Sequence, residues 1–223
     1  MYPKAIIFDL DGVLTDTARF HYLAWKQLAD KLGLPFTEKD NERLKGVDRI
    51  RSFEIILEIN HVLDQFSIDD KNKYANEKNE IYKQLIENIT PADILEGIPE
   101  LIDSAKDVGI KLAVASSSKN ATRVLQLLNI TEQFDYVAES AQIRHPKPAP
   151  DIFLDCAKGV GVNPELCVGV EDAQAGIEAI HSAGMFAVGI HVDVTSIMPD
   201  LIIQSTSELS LEVINRFYKK WYQ

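Results

Sequence analysis

Asp9 and Asp11 stand two residues apart in Asp9-Leu10-Asp11-Gly12-Val13, directly after the apolar run Ala5–Phe8. A carboxylate placed there can attack phosphorus and carry the group as an aspartyl phosphate. A second carboxylate beside it can act as general acid and base. Further along come Ser116-Ser117-Ser118-Lys119-Asn120, then Lys147-Pro148, then Glu171-Asp172. Hydroxyls and an amine can neutralise and orient phosphoryl oxygens, which is most of what phosphoryl transfer asks of a protein. Carboxylates gathered at one point repel unless a cation lies between them. Hard oxygen ligands of this kind suit Mg2+, which takes carboxylates together with substrate phosphate. Singly, each piece has a plainer explanation. Asp-x-Asp-Gly is common turn chemistry, with Gly12 supplying a positive φ. The serines could cap the next helix, Lys147 could be a surface lysine, and Glu171-Asp172 could complement a helix N-terminus.

The elements around these residues supply what the pieces lack alone. Ala5–Phe8 is apolar on both faces and reads as a buried strand. Residues from about 17 to 90 have a helical pattern and no clear strand. His21, Leu23, Ala24, Leu28 and Leu32 recur at helical spacing before Gly33, and helices over Ser52–His61 and Lys71–Asn88 follow. After Thr90-Pro91-Ala92-Asp93 the text alternates. Helices are predicted over Pro99–Val108, Ala121–Leu128, Asp151–Val160, Ala173–Ala183 and Leu209–Trp221. Strands are predicted over Lys111–Ala115, Asp135–Ala138, Cys167–Val170, Phe186–Ile190 and Leu201–Ile203. Such alternation predicts an α/β fold, a doubly wound, Rossmann-like parallel sheet covered on both faces. Residues 1–16 and 91–223 would form this catalytic core, and residues 17–90 an α-helical cap inserted after the first strand. The polar segments then fall beyond the carboxyl ends of strands, where open parallel sheets bind ligands. Four separate segments meeting there is what the plainer explanations account for poorly.

Composition narrows the partners. The chain has 223 residues with 34 acidic and 23 basic side chains, a formal charge of −11. That balance argues against nonspecific binding to nucleic acid or to an anionic membrane. No apolar run approaches the ~18 residues of a spanning helix, and the N-terminus carries no signal-peptide pattern, so the expected location is the cytoplasm. Two cysteines, Cys156 and Cys167, make no disulfide framework. Gly159-Val160-Gly161-Val162-Asn163-Pro164 lacks the third glycine of a dinucleotide fingerprint and precedes a strand instead of following one.

Asp9-Leu10-Asp11-Gly12-Val13-Leu14-Thr15-Asp16-Thr17, Ser116, Lys147-Pro148 and Glu171-Asp172 resemble, in order, the four motifs of the haloacid dehalogenase superfamily of phosphotransferases. The resemblance covers essentially the whole chain. Asp16-Thr17, His21, Trp25, the run Leu44-Lys45-Gly46-Val47-Asp48-Arg49 and the segments Ser116–Asn120, Lys147–Phe153 and Glu171–Ile177 look, more narrowly, like the β-phosphoglucomutase family within it. That family is a Mg2+-dependent isomerase group interconverting β-D-glucose 1-phosphate and D-glucose 6-phosphate through β-glucose 1,6-bisphosphate. The resemblance implies Asp9 as nucleophile and Asp11 as proton carrier. It implies Mg2+ held by Asp9, the Asp11 backbone carbonyl and Asp172, with Glu171 in or beside that shell. Thr17 would steady Asp11 and His21 would assist it. Ser116, Ser117 and Lys147 would hold the transferring phosphoryl. Arg49, with Ser118, Lys119 and Asn120, would hold the distal phosphate. Gly46 and Val47 would line the sugar site, and Lys45, Ser52 and Lys78 are further substrate-side candidates. The Lys147–Pro148 bond would be cis. The expected partners are small sugar phosphates alone, with no nucleic acid and no membrane, bound by a monomer.

A sugar-phosphate phosphatase of the same fold is the alternative, because both reactions pass through an aspartyl phosphate. A mutase must keep water out while the bisphosphate turns over, which a closing cap with a second phosphate site accomplishes. The guanidinium fork of Arg49 suits that site. Three departures from the family pattern stand out: Asp48 where serine is common, Ile50-Arg51 in place of a more acidic pair, and Arg144-His145 without an assigned role.

Overall fold

Strand burial alternates between two apolar layers. In β1 (Ala5–Phe8), Ile6 and Phe8 join one fully buried cluster while Ala5 and Ile7 join another. The structure, a computed structural model, describes residues 2–44, 47–192 and 197–222. β1 is followed by α1 (Ala18–Lys31), α2 (Glu38–Asn41), α3 (Arg49–Ile59) and α4 (Ile68–Ile86). Then come α5 (Ile98–Asp107), β2 (Lys111–Val114), α6 (Ala121–Leu127), β3 (Tyr136–Val137), α7 (Asp151–Gly159) and β4 (Cys167–Glu171). α8 (Gln174–Ser182), β5 (Phe186–Ile190), β6 (Leu201–Ile203) and α9 (Leu211–Trp221) complete the chain.

The sheet has the order β3-β2-β1-β4-β5-β6, and every pairing is parallel. One face is covered by α5, α6 and α9, through Leu101, Ile102, Val124, Leu125 and Ile214. The other is covered by α7 and α8, through Ile152, Phe153, Ile177 and Ile180. The expected doubly wound α/β architecture is therefore present. Its strand order reverses between β1 and β4, which opens a crevice beyond their carboxyl ends.

The helical stretch has its own apolar cluster. Trp25, Leu28, Phe36, Phe53, Ile56 and Ala75 pack together, with Trp25 and Phe53 stacked 5.9 Å apart. The far end of α4 behaves differently. Tyr82 and Ile86, with Ile89 just beyond, belong to the cluster that holds β1, α5 and α9. One long helix thus packs in both clusters. The chain leaves the sheet and returns to it through paired segments: Thr15 donates its hydroxyl to the Asp93 carbonyl (2.7 Å), and the Leu95 N–H donates to the Leu14 carbonyl (3.0 Å).

α3 starts earlier than its sequence pattern predicts. The Asp48 carboxylate accepts from the N–H groups of Ile50 (3.0 Å) and Arg51 (3.3 Å), an N-cap that makes Arg49 the first helical residue. The departure at Asp48 is thereby explained, since serine and aspartate cap equally well. Ser67 caps α4 in the same way, with a reciprocal bond from Asp70. The four-residue α2 is too short to show any periodicity and is found only in the structure.

Candidate active site

Sheet register brings the carboxylates together. Phe8 pairs with Val170, and the Asp9 N–H donates to the Val170 carbonyl (2.9 Å), so Asp9 emerges beside Glu171 at the end of β4. Lys147 reaches the same point from the loop before α7. Its ammonium donates to Asp9 Oδ1 (2.5 Å) and to Glu171 Oε2 (2.8 Å), and the Lys147–Pro148 peptide is cis. The side chains of Lys147 and Glu171 are wholly buried and that of Asp9 nearly so. The other Glu171 oxygen accepts from the N–H groups of Asp172 (3.1 Å) and Ala173 (3.2 Å).

Two glycines make room for this arrangement. A Cβ on Gly12, which has φ +79°, would collide with the Asp172 carboxylate, and one on Gly176 would collide with that of Glu171. Neither neighbour can move away without leaving the centre.

Charge imbalance is the dominant property of the site. Asp9, Glu171 and Asp172 each bring one oxygen within 4.8 Å of the others. The ammonium of Lys147 is shared between two of these carboxylates, Asp9 and Glu171. Burial pushes Asp9 up to about 8, with Glu171 adding to the rise and Lys147 opposing it. Burial alone would lower Lys147, but the carboxylates of Asp9 and Glu171 outweigh it and hold the ammonium charged. Three carboxylates that each bring a hard oxygen donor to one point fit a divalent cation such as Mg2+.

Asp11 sits one step away. Its N–H donates to Asp9 Oδ2 (3.0 Å), while its carboxylate accepts from the Thr17 hydroxyl. His21 Nε2 lies 3.7 Å from the other Asp11 oxygen. Burial raises Asp11 to about 6, against the pull of Lys78 and Lys147. A group titrating near neutrality can both give and take a proton. The Lys78 ammonium lies 2.8 Å from His21 Nδ1 and 4.9 Å from each of the Trp25 and Tyr82 rings. Burial, Lys78 and Arg49 together hold His21 well below its ordinary value, so the ring is neutral. Burial also pulls Lys78 down to about 7, so Lys78 and the neutral His21 ring form a pair that can pass a proton at neutral pH, with Nε2 on the side of Asp11.

A cavity of about 360 Å³ spans the sheet edge and the helical stretch. Asp9, Asp11, Lys147 and Asp172 line it from below, and Val47, Arg49, Ser52 and Lys78 from above. Ser117, Ser118, Lys119 and Asn120 form a side wall. Ser116 lies beneath that wall, buried, its hydroxyl accepting from the Ser118 N–H (3.1 Å). Ser52 spends its hydroxyl on the Asp48 carbonyl (2.8 Å), which makes it a brace for the start of α3. Lys45 and Gly46 lie outside the described residues. The structure also places Asn41, Asn72, Asn76 and Asn79 on the cavity. The last three recur at i, i+4 and i+7 of α4, and asparagine is a poor helix former, so that stripe is the signal that sequence reading passed over. The Arg144-His145 pair points elsewhere: His145 is exposed and bonds Asp151 (2.9 Å), closing the turn before α7.

A doubly wound parallel sheet with this carboxylate–lysine centre defines a phosphotransferase-type HAD fold, and the chain belongs to the haloacid dehalogenase-like hydrolase family, whose model matches residues 3–184. Within it, the chain is 43% identical to β-phosphoglucomutase of Bacillus subtilis over 220 residues, which is 99% of this chain and 96% of that one. The crystal structure of β-phosphoglucomutase from Clostridium difficile superposes with a TM-score of 0.94 at 45% identity, covering 98% of both chains. A phosphorylated carbohydrates phosphatase of Thermotoga maritima is 32% identical over 184 residues, 82% of each chain.

Proposed function

We propose that this enzyme interconverts β-D-glucose 1-phosphate and D-glucose 6-phosphate through β-glucose 1,6-bisphosphate. The observation that carries the reading is the shared cavity: the Asp9 centre and Arg49 open into one space. A hexose with a phosphoryl group at each end can be gripped by Arg49 while the other end meets Asp9. The similarity to β-phosphoglucomutases along the full chain length agrees with it.

In this reading Asp9 begins as the aspartyl phosphate. The C6 hydroxyl of β-glucose 1-phosphate loses its proton to Asp11 as its oxygen attacks phosphorus, and the Asp9–phosphorus bond breaks. The bisphosphate then turns end for end. Asp9 attacks the C1 phosphoryl group, and the departing C1 oxygen takes back the proton from Asp11. Glucose 6-phosphate leaves, and Asp9 is phosphorylated again. Ser116, Ser117 and Lys147 orient the transferring group, with Lys147 also holding the Asp9 carboxylate in line. Thr17 holds Asp11 aside between turnovers, and neutral His21 with Lys78 guides its proton. Arg49, Ser118, Lys119 and Asn120 hold the distal phosphate, with Val47 and Ser52 shaping the sugar wall. Asp9, the Asp11 carbonyl and Asp172, with Glu171 beside them, would hold Mg2+, which supplies positive charge against the phosphoryl oxygens. Residues 17–90 act as the cap that excludes water. A monomer in the cytoplasm completes the reading; no described helix is long and apolar enough to cross a membrane.

The test is a coupled assay of β-glucose 1-phosphate with Mg2+ and a trace of β-glucose 1,6-bisphosphate, with free phosphate measured in parallel. Rapid glucose 6-phosphate with little free phosphate is expected. Steady phosphate release without isomer would make the protein a sugar-phosphate phosphatase.

A further inference from the structure

Two of the anchors assigned above to the distal phosphate come from opposite sides of the cavity, Arg49 from α3 and Asn120 from the loop after β2. Each is held by a residue of α4. The Arg49 guanidinium donates to the side-chain oxygen of Asn76 (3.4 Å). The Asn120 amide donates to the side-chain oxygen of Asn79 (2.8 Å), across 41 residues of chain. Asn76 and Asn79 are three residues apart on one helix, and such residues share a face with Cβ atoms about 5–6 Å apart.

We propose that Asn76 and Asn79 are positioning residues that set the separation between Arg49 and Asn120, and thereby the placement of the phosphate these two grip. The inference rests on the function proposed above, which takes Arg49 and Asn120 as anchors. A helix is a rigid spacer, so two anchors bonded to the same face of α4 keep one distance. The Asn79–Asn120 bond has a second consequence: it joins the helical stretch to the sheet edge directly at the phosphate end of the cavity. An anchor ordered by phosphate therefore favours closure, and a closed cavity keeps Asn120 ordered. The two carboxamides suit this role because they are neutral. They orient a guanidinium and an amide without competing for them as a carboxylate would.

Steady-state kinetics on Asn79→Ala, Asn120→Ala and the double variant test the proposal, with β-glucose 1-phosphate as substrate and β-glucose 1,6-bisphosphate at fixed trace. Asn79→Ala is expected to raise KM about three- to tenfold, the factor that loss of one neutral hydrogen bond carries, with kcat within about twofold. The fraction of turnovers ending in free phosphate should rise. Asn79→Gln, which retains a neutral acceptor for the Asn120 amide, should restore KM at least in part. Asn76→Ala should raise KM in the same way. Because Asn79 acts through Asn120, adding Asn79→Ala to Asn120→Ala should change KM no further. Additive effects would overturn the proposal, as would an unchanged KM. A fall of kcat together with melting temperature, without rescue by Asn79→Gln, would reduce Asn79 to a structural contact and overturn it too. Should the wild-type protein release phosphate without isomer, the mutase reading fails. The same cycle, read on KM for that hydrolysis, still decides for or against Asn79.

Discussion

At the scale of single residues, the site is a set of acids whose protonation is set by their surroundings. Asp9 is the clearest case. Burial raises its folded value from 3.8 to about 8, so between those limits the metal-free folded protein keeps a proton that the unfolded chain has lost. Stability of the metal-free protein therefore falls as pH rises through that window. In the function proposed above a divalent cation displaces the same proton, so its binding should strengthen as pH rises. Melting curves with and without Mg2+ should show a small stabilisation near pH 6 and a larger one near pH 9. In Asp9→Asn most of that pH dependence should vanish, and, with Asp9 as the proposed nucleophile, isomerisation should fall by at least ~1,000-fold in the coupled assay. Gly176 offers a test of packing. Gly176→Ala pushes a methyl group into the Glu171 carboxylate. Overpacking of this kind costs about 1–3 kcal/mol, readable by urea denaturation, and activity should fall with it because Glu171 orients Lys147.

At the scale of elements, α3 and α4 carry what distinguishes this chain from a bare phosphotransferase core. Asp48 caps α3 and places Arg49 on its first turn. Asp48→Ala should cost about 1 kcal/mol of stability, the usual worth of an N-cap, and should raise KM by loosening Arg49. Asp48→Ser should leave both near wild type, which equilibrium unfolding and kinetics on the pair would check. The sequence pattern locates both helices but begins α3 at Ser52 instead of Arg49. Helical periodicity is read from apolar residues, and the first turn of α3 is polar except for Ile50. Its start is decided by a side chain bonding to backbone N–H groups, an interaction with no period. α2 escapes notice for the related reason that four residues are a single turn.

At the scale of the whole molecule, function depends on one cavity assembled from two apolar clusters. The paired segments at Thr15–Asp93 and Leu14–Leu95, with α4 packed in both clusters, tie the helical stretch to the sheet. Arg49→Ala is the test at this scale. Loss of a charge-assisted bond to phosphate is worth about 10- to 100-fold in turnover, and the lost turnovers should reappear partly as free phosphate, because a bisphosphate held at one end lets water in. An equal loss of isomer formation and phosphate release would assign Arg49 to folding alone.

The sequence by itself determined the chemistry and its order along the chain. Asp9, Asp11, Ser116, Lys147, Glu171 and Asp172 are recognisable because each follows or precedes an apolar segment that must be buried, and a parallel sheet sends all such ends to one edge. Tertiary structure decided how those groups are spent. Burial of Lys147 against Asp9 and Glu171, the neutral state of His21 and the asparagine stripe facing the cavity all depend on residues distant in the chain. Their energies come from desolvation and from hydrogen bonds across dozens of residues, and neither quantity has a local signature in the sequence.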